Sequence, residues 1–354
     1  MRQVGIGVVG TGVIGRKHLQ SAAALLSIRT VGTTDLREDQ ARDAAALYGA
    51  DKVYATADEM FADPEVEAVV LAVPAAGKTE LALKAIAAGK HALIEKPAGM
   101  NAREVQQLID AQKAHPSLIV GCCSSRFRYY ESGELLRRRI ASGELGELRM
   151  LRTRGVWPAG KAPETAPPFW RLNKSVNGGG IMMNWGSYDL DYMLGLTGWR
   201  LKPVRVLAQT WQVAPHLNAR VAPETDAETH VTAFISCEGG ETIVLERGEF
   251  TSASRDETSE IIGTHGSLLF RMMPGEGKKI VYNETNPLDG VRSSVIWSGD
   301  EDFEVLHTGV LWDFADAVIN NRPPATTLEQ ALLIQQITDA IYLSAANRRC
   351  ADIG

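Results

Sequence analysis

Residues 4–15 read VGIGVVGTGVIG: an apolar run, Val4 to Val9, runs straight into the glycine turn Gly10-Thr11-Gly12-Val13-Ile14-Gly15, and a stretch of helical character follows to about Ala24. Strand, glycine turn and helix in that order open a βαβ unit. Gly10 permits the tight turn, Gly12 lets the backbone approach a pyrophosphate, and Gly15 lets the helix pack close to the sheet with its N-terminus facing the phosphates. The glycine spacing alone is a weak signal, and its context strengthens it. A second strand, Ile28 to Thr34, ends in Asp35, twenty residues after Gly15, where a carboxylate can accept both hydroxyls of an adenosine ribose. Arg37 is the competing signal, because a guanidinium there could hold a 2′-phosphate. Asp35 would repel that phosphate, so NAD is expected, with NADP as the alternative.

The alternation continues down the chain. Helices are expected near Arg37 to Tyr48, from the capping box Thr56-Ala57-Asp58-Glu59, from Lys78 to Ala88 before Gly89, and from Asn101 to about Ala114. Apolar strands are expected at Ala68 to Val73, His91 to Ile94 and Leu118 to Gly121. Six strands with helical crossovers fit the doubly wound order 3-2-1-4-5-6, whose ligand crevice lies at the carboxyl ends of the strands. Gly10, Asp35, Pro74 and Lys96 all follow strand ends.

With 354 residues the chain exceeds what one hydrophobic core usually supports, and two domains are expected, 1–123 and 124–354. A composition of 45% hydrophobic and 23% charged residues is that of a globular protein, and no apolar stretch is long enough to cross a bilayer. The net charge of −6, with Arg137-Arg138-Arg139 as its one basic tract, argues against nucleic acid as a partner. The four cysteines, Cys122, Cys123, Cys237 and Cys350, have no paired spacing, and the seven histidines are scattered, so neither a disulfide framework nor a metal site is expected. The first residues contain no secretory or transit pattern, which makes the cytoplasm the expected compartment.

Two clusters are candidates for chemistry. Lys96 follows a buried-looking strand and precedes Pro97, so its position is fixed, and an ammonium at the carboxyl edge of a nucleotide-binding sheet can stabilise a developing oxyanion. The bland reading is a surface lysine. The second cluster is Asn177 to Asp191. If the stretch after Gly178-Gly179-Gly180 is helical, Asn184, Tyr188 and Asp191 share a polar face, while Met183, Leu190, Met193 and Leu194 pack on the other. An ordinary amphipathic surface helix is the competing reading.

Taken in order, Gly10 to Gly15, Glu95-Lys96-Pro97, Gly178-Gly179-Gly180 and Asn184-x-x-x-Tyr188-x-x-Asp191 resemble the glucose-fructose oxidoreductase, inositol dehydrogenase and rhizopine catabolism (Gfo/Idh/MocA) family. The resemblance spans nearly the whole chain. It includes Ser142-Gly143-Glu144-Leu145-Gly146, the Ile262 to Ser267 turn, and a closing helix after Asn321-Arg322-Pro323-Pro324. It implies an α/β Rossmann domain followed by an α+β domain on a large, mostly antiparallel open sheet, through which a homodimer or homotetramer forms. The later sequence agrees independently. Val204 to Trp211, His230 to Cys237 and Glu241 to Phe250 are strand-like, Glu238-Gly239-Gly240 reads as a hairpin turn, and Thr327-Leu328-Glu329-Gln330 opens a final helix.

The resemblance further implies an NAD(P)-dependent dehydrogenase acting on a secondary alcohol of a sugar, cyclitol or sugar derivative. Its expected cofactor contacts are Gly10, Thr11, Gly12, Val13, Ile14, Asp35, Arg37, Val73, Pro74, Lys78, Glu95 and Lys96. The family's Thr-Pro-Asn-x-x-His stretch stands here as Val73-Pro74-Ala75-Ala76-Gly77-Lys78, which removes two usual side chains. Many relatives carry Asp and His where this chain has Asn184 and Tyr188, so the histidine acid/base is missing. A phenol titrates near ~10 and needs an adjacent cation to work close to neutrality, for which Lys96 is the candidate. Tyr188 is therefore expected to exchange the alcohol proton, with Lys96 holding the substrate oxygen, Asn184 hydrogen-bonding and Asp191 orienting. Substrate contacts are expected from Arg126, Arg152, Trp157, Trp170, Arg171 and Tyr188, and so many arginines suggest an anionic sugar. Two other readings stay open: an NAD-retaining glycosidase working through transient oxidation, and a cofactor-binding regulatory protein without catalysis.

Overall fold

The computed structural model describes residues 2–165 and 167–354, so Met1 of the expected first domain lies outside the described residues. The chain forms two compact units, Met1–Arg126 with Glu304–Leu332, and Phe127–Phe303 with Leu333–Gly354.

The first unit is built on six parallel strands, β1 (Val4–Val9), β2 (Ile28–Thr34), β3 (Lys52–Val53), β4 (Ala68–Leu71), β5 (His91–Ile94) and β6 (Val120–Cys122), in the order β3-β2-β1-β4-β5-β6. That is the doubly wound order expected. All six residues of β1 and all four of β4 are buried, as strands covered on both faces must be. Helices α1 (Val13–Ala23), α2 (Glu38–Tyr48), α3 (Ala57–Ala62), α4 (Lys78–Ala87) and α5 (Ala102–Ala114) make the crossovers. Local chemistry starts them where the sequence says. Thr56 Oγ1 accepts the Glu59 amide at 3.1 Å, and Asn101 Oδ1 accepts the Glu104 amide at 3.0 Å.

The expected single boundary after residue 123 needs correction, because the chain returns. Helix α9 (Leu306–Asn320), given after α6 (Glu131–Ala141), α7 (Lys174–Asn177) and α8 (Ser187–Leu196), belongs to the first unit, as does the first turn of α10 (Leu328–Asn347). The Cys122 amide donates to the Thr326 carbonyl at 3.0 Å, and Leu328 is fully buried in the core with Leu71, Ile94 and Val120. A buried apolar side chain on a distant segment closes the edge of the sheet beside β6.

The second unit carries a nine-stranded sheet of β7 (Leu148–Pro158), β8 (Pro203–Trp211), β9 (His230–Cys237), β10 (Thr242–Thr251), β11 (Asp256–Gly263), β12 (Gly266–Phe270), β13 (Lys278–Asn286), β14 (Gly290–Gly299) and β15 (Ala351–Asp352). The order is β14-β13-β12-β11-β7-β10-β9-β8-β15, antiparallel except where β10 runs parallel to β7. The hairpin between β9 and β10 turns at Gly240, whose φ is +90°, as the sequence suggested. Alternation along β7 and β10 splits the sheet into two faces. Leu151, Thr153, Gly155 and Trp157 lie with Leu245, Arg247 and Glu249 on the face that meets α8, and Arg152, Arg154, Val244 and Glu246 lie on the other.

All ten residues of α8 are buried, so it is neither the two-faced helix expected nor a surface helix. A wide five-residue π turn, Met182–Gly186, leads into it. At the other end of the chain, the α10 start is a reciprocal cap: the Thr327 amide donates to Gln330 Oε1 at 2.9 Å and the Gln330 amide to Thr327 Oγ1 at 3.4 Å. Among the described residues no helix is long and apolar enough to cross a membrane.

Candidate active site

In the first unit the carboxyl ends of β1, β2, β4 and β5 bring Gly10, Asp35, Val73 and Lys96 to one edge of the sheet. The turn after β1 is closed by side chains of the motif itself. Asp35 Oδ2 accepts the Thr11 amide at 2.7 Å and the Thr11 hydroxyl at 3.2 Å, while Oδ1 accepts the Arg37 amide at 3.0 Å. Gly15 is obligatory, since a Cβ there would lie 1.9 Å from the Gly10 carbonyl oxygen. A Cβ at Gly12 would meet only open space, which is the room a pyrophosphate needs against the backbone.

Beside that space the apolar side chains of Val13 and Ile14 are exposed, and Leu36 is wholly so. Leu36 was not among the expected contacts; an exposed leucine next to Asp35 is an apolar surface of the kind an adenine ring could cover. This edge therefore fits a dinucleotide by shape, dipole and hydrogen bonding. Asp35 is half-buried and Arg37 exposed, so the acid is part of the turn and the arginine is not.

Lys78 needs a different account from the cofactor contact expected. It is fully buried, and its Nζ donates to the carbonyls of Glu95 at 2.7 Å and Pro97 at 2.8 Å. A buried ammonium must find acceptors, and here it braces the turn that carries Lys96. Burial pushes Lys78 down to about 8. The Lys96–Pro97 peptide is cis. Lys96 itself is half-buried, and burial, with the Arg126 guanidinium second, pushes its ammonium down to about 7. Val73 is half-buried and Pro74 exposed at the end of β4.

Arg126 is likewise not a side chain facing a pocket. It is buried, donating to Glu95 Oε1 at 2.6 Å and to His307 Nε2 at 2.7 Å. His18 and His307 are thus part of a cluster that their scattered positions in the sequence did not reveal.

In the second unit Tyr188 is buried, its ring edge-on to Phe127 at 5.2 Å and to Trp185 at 5.7 Å between centroids. Two devices seat its helix. Glu228 caps the entry: its carboxylate accepts the amides of Gly180 at 2.9 Å and Met182 at 3.0 Å and the Tyr342 hydroxyl at 2.8 Å, although burial pushes its carboxyl up. The glycine run exists for this approach, because a Cβ on Gly180 would lie 1.8 Å from the Glu228 carbonyl oxygen. The second device is Asp189, which accepts Arg247 Nε at 2.8 Å and Nη2 in a two-pronged pair, with both side chains buried. Neither Glu228 nor Arg247 stands in any sequence pattern that would have named it.

Asp191, expected to orient the site, is fully buried and accepts Arg128 Nε at 2.8 Å. Asn184 is half-buried in the π turn. Trp157 is half-buried, donates Nε1–H to Glu257 at 2.6 Å and lies edge-on to Trp185 at 4.9 Å, with the Arg247 guanidinium over both rings. Trp170 is exposed, and Arg171 pairs with the buried Glu249. Arg152 is on the opposite face of the sheet, paired with Glu260, because it alternates with Thr153 and Gly155 along β7. It does not join Trp157, Arg171 and Tyr188.

The family model of the oxidoreductase family with an NAD-binding Rossmann fold matches residues 4–121, and that of the GFO/IDH/MocA C-terminal domain matches residues 134–269. Inositol 2-dehydrogenase of Gluconacetobacter diazotrophicus is 36% identical over 151 residues, 42% of this chain and 44% of that one. Myo-inositol 2-dehydrogenase of Thermotoga maritima is 28% identical over 193 residues, 54% of each. The chain spans about half the length of the curated relatives it matches. Over the full length of both chains, the structure is similar to levoglucosan dehydrogenase in complex with NADH (TM-score 0.86, 20% identity) and to an oxidoreductase domain protein from Kribbella flavida (TM-score 0.87, 21% identity).

Proposed function

Because this chain belongs to the GFO/IDH/MocA oxidoreductase family, with an NAD-binding Rossmann fold, we propose that it is an NAD-dependent dehydrogenase oxidising a secondary alcohol of an uncharged sugar or cyclitol, or reducing the ketone. Bound NAD would supply the hydride acceptor. The residues that would hold it are the glycine turn from Gly10 to Ile14 and Asp35, joined by Val73, Pro74, Glu95 and Lys96 at the ends of β4 and β5. The alcohol proton is exchanged by Tyr188, Lys96 holds the alcohol oxygen, and Asn184 hydrogen-bonds the substrate.

The observation that carries this reading is Lys96: an amine at the carboxyl edge of the nucleotide sheet, braced by its neighbours and brought down to about 7 by burial and Arg126. Such an amine changes protonation state near neutral pH, where a proton-handling group works best.

The uncharged substrate replaces the anionic sugar suggested by the arginine count. Arg126 is paired with Glu95, Arg128 with Asp191, Arg154 with Glu246 and Asp256, Arg171 with Glu249, and Arg247 with Asp189. A guanidinium already matched to a carboxylate offers little attraction to another anion. NADH formation at 340 nm across matched pairs of neutral polyols, sugars and their acids tests the assignment. Turnover of a neutral member is expected. No NADH from any member, with free sugar released from glycosides instead, would point to the redox-assisted glycosidase.

The outer face of the nine-stranded sheet supports assembly as a homodimer or homotetramer. Leu207, Trp211 and Phe234 are exposed there, and Leu207 and Phe234 line a concavity of about 430 Å³ together with Gln209, Thr232, Val244 and Arg348. Light scattering on Phe234→Asp should report monomers, and an unchanged mass would remove this face. The free thiols, with Cys350 exposed, support a reducing compartment such as the cytoplasm.

A further inference from the structure

We propose that Arg126 is a positioning residue for Lys96, acting through Glu95 in a buried cluster that also ties in His18 of α1 and His307 of α9. The proposal rests on the reading of Lys96 given above.

Four buried side chains from separate segments meet in the first unit. Glu95 Oε1 accepts Arg126 Nη2 at 2.6 Å and His18 Nε2 at 2.8 Å, and Glu95 Oε2 accepts the Lys96 amide at 3.1 Å. Arg126 Nη1 donates to His307 Nε2 at 2.7 Å. Atoms of His18, Glu95 and His307 lie within 4.8 Å of one another, the spacing of a metal-ligand set. Here Arg126 donates to two of the three, Glu95 and His307, and supplies a positive charge among them.

Protonation states follow from the bonds. His307 must offer Nε2 as an acceptor, so its hydrogen is on Nδ1, and burial and then Arg126 push it to about 2, keeping it neutral. His18 Nδ1 is buried without a partner, which a lone pair tolerates better than an N–H, so Nε2 carries the hydrogen toward Glu95. Glu95 stays a carboxylate: Arg126 and His18 hold it well below its ordinary value against the effect of burial. Arg126 is thus a fixed cation beside a fixed carboxylate, with His307 held neutral.

Its geometry points at Lys96 in two ways. The carboxylate grips the Lys96 amide while Lys78 grips the carbonyls of Glu95 and Pro97, so the turn is held on both sides. His18 belongs to the helix that the glycine turn starts, so the same carboxylate ties the lysine to the helix facing the phosphates. Among the groups of the first unit that act on the Lys96 ammonium, Arg126 and Lys78 oppose its charge and Glu95 favours it. Arg126 is thus both the clamp on Glu95 and the larger of the two positive charges opposing a third at Lys96.

The test follows Lys96 directly, by ¹³Cε NMR titration of the full-length protein, beside the pH profile of kcat/KM. In Arg126→Met the Lys96 titration should rise by about one pH unit or more, the kcat/KM limb should move with it, and turnover at neutral pH should fall about tenfold. Arg126→Lys, which keeps the charge, should restore most of the titration. Glu95→Gln should move Lys96 the opposite way, down by about one unit, since the opposition is left without its counter-charge. If Arg126→Met does not fold, the Glu95→Gln shift decides. A Lys96 titration unmoved in whichever variants fold overturns the proposal. The underlying reading fails separately: Lys96→Ala with parental turnover would remove the catalytic lysine while leaving the NMR result intact.

Discussion

Replacing Asp189 by Asn should be among the most damaging single changes in the second unit. Asp189 and Arg247 are 1% and 3% exposed, and the guanidinium donates through both Nε and Nη2 while it lies over Trp157 and Trp185. Arg247 Nη1 is already buried without a partner, so the arginine has no spare hydrogen bonding to fall back on. Removing the counter-charge leaves a buried cation uncompensated, at a cost of about 3–5 kcal/mol. For a unit of about two hundred residues this corresponds to a Tm lower by about 6–20 °C. Since Asp189 neighbours Tyr188, kcat should fall with stability, whereas NADH affinity, set by the first unit, should not. Calorimetry and urea titration read the first effect, fluorescence and steady-state kinetics the second. The variant Asp189→Leu/Arg247→Met, which removes both charges and keeps the volume, should recover more than half of the lost stability. A loss below about 1 kcal/mol in Asp189→Asn, or a double variant no better than the single one, would refute the reasoning.

Three further outcomes are expected. Asp35→Ser removes the acceptor for the ribose hydroxyls and the tie to Thr11, and should weaken NADH about tenfold while narrowing the preference over NADPH, as measured by fluorescence. Gly15→Ala places a Cβ 1.9 Å from a backbone oxygen, and calorimetry with and without NADH should find either no cooperative unfolding or no stabilisation by the cofactor. His307 is neutral when folded, pushed to about 2 by burial and Arg126, but takes a proton below about 6.5 when unfolded. The unfolded state then binds the extra proton, so stability present above pH ~6.5 is lost progressively as the pH falls toward ~2, and His307→Gln should flatten that limb in urea titrations.

The first unit was legible because its signals are local. Glycine spacing, a six-residue apolar run and an acid at a fixed distance are all read within one βαβ unit, and the caps at Thr56 and Asn101 declare themselves in four residues. The return of residues 304–332 to that unit was not legible, since what recruits them is a backbone bond to Cys122 and the burial of Leu328, and neither leaves a periodic trace. The stretch around Tyr188 stood between the two cases. Its polar residues at helical spacing suggested a solvent-facing side, yet Tyr188, Asp189 and Asp191 are all buried, because Arg247 and Arg128 come from other segments to meet the acids.

The arginines bear on the substrate proposed above, because a count of charges says nothing of their partners. A sequence gives the number of guanidinium groups between two motifs but not their partners, and those partners lie 31 residues away for Arg126, 78 for Arg171 and 108 for Arg152. Burial makes the pairing obligatory: an unpaired cation costs several kcal/mol in the interior, so an arginine that folds inward brings a carboxylate with it. An arginine kept for an anionic substrate would have to remain solvated and unmatched until the substrate arrived. Arg126, Arg171 and Arg247 are instead matched within the fold, and the polar groups around Trp157 include the Glu257 carboxylate that takes its indole N–H. With these guanidinium groups matched inside the fold, the charge count that suggested an anion carries no weight, which is why the substrate proposed above is a neutral polyol.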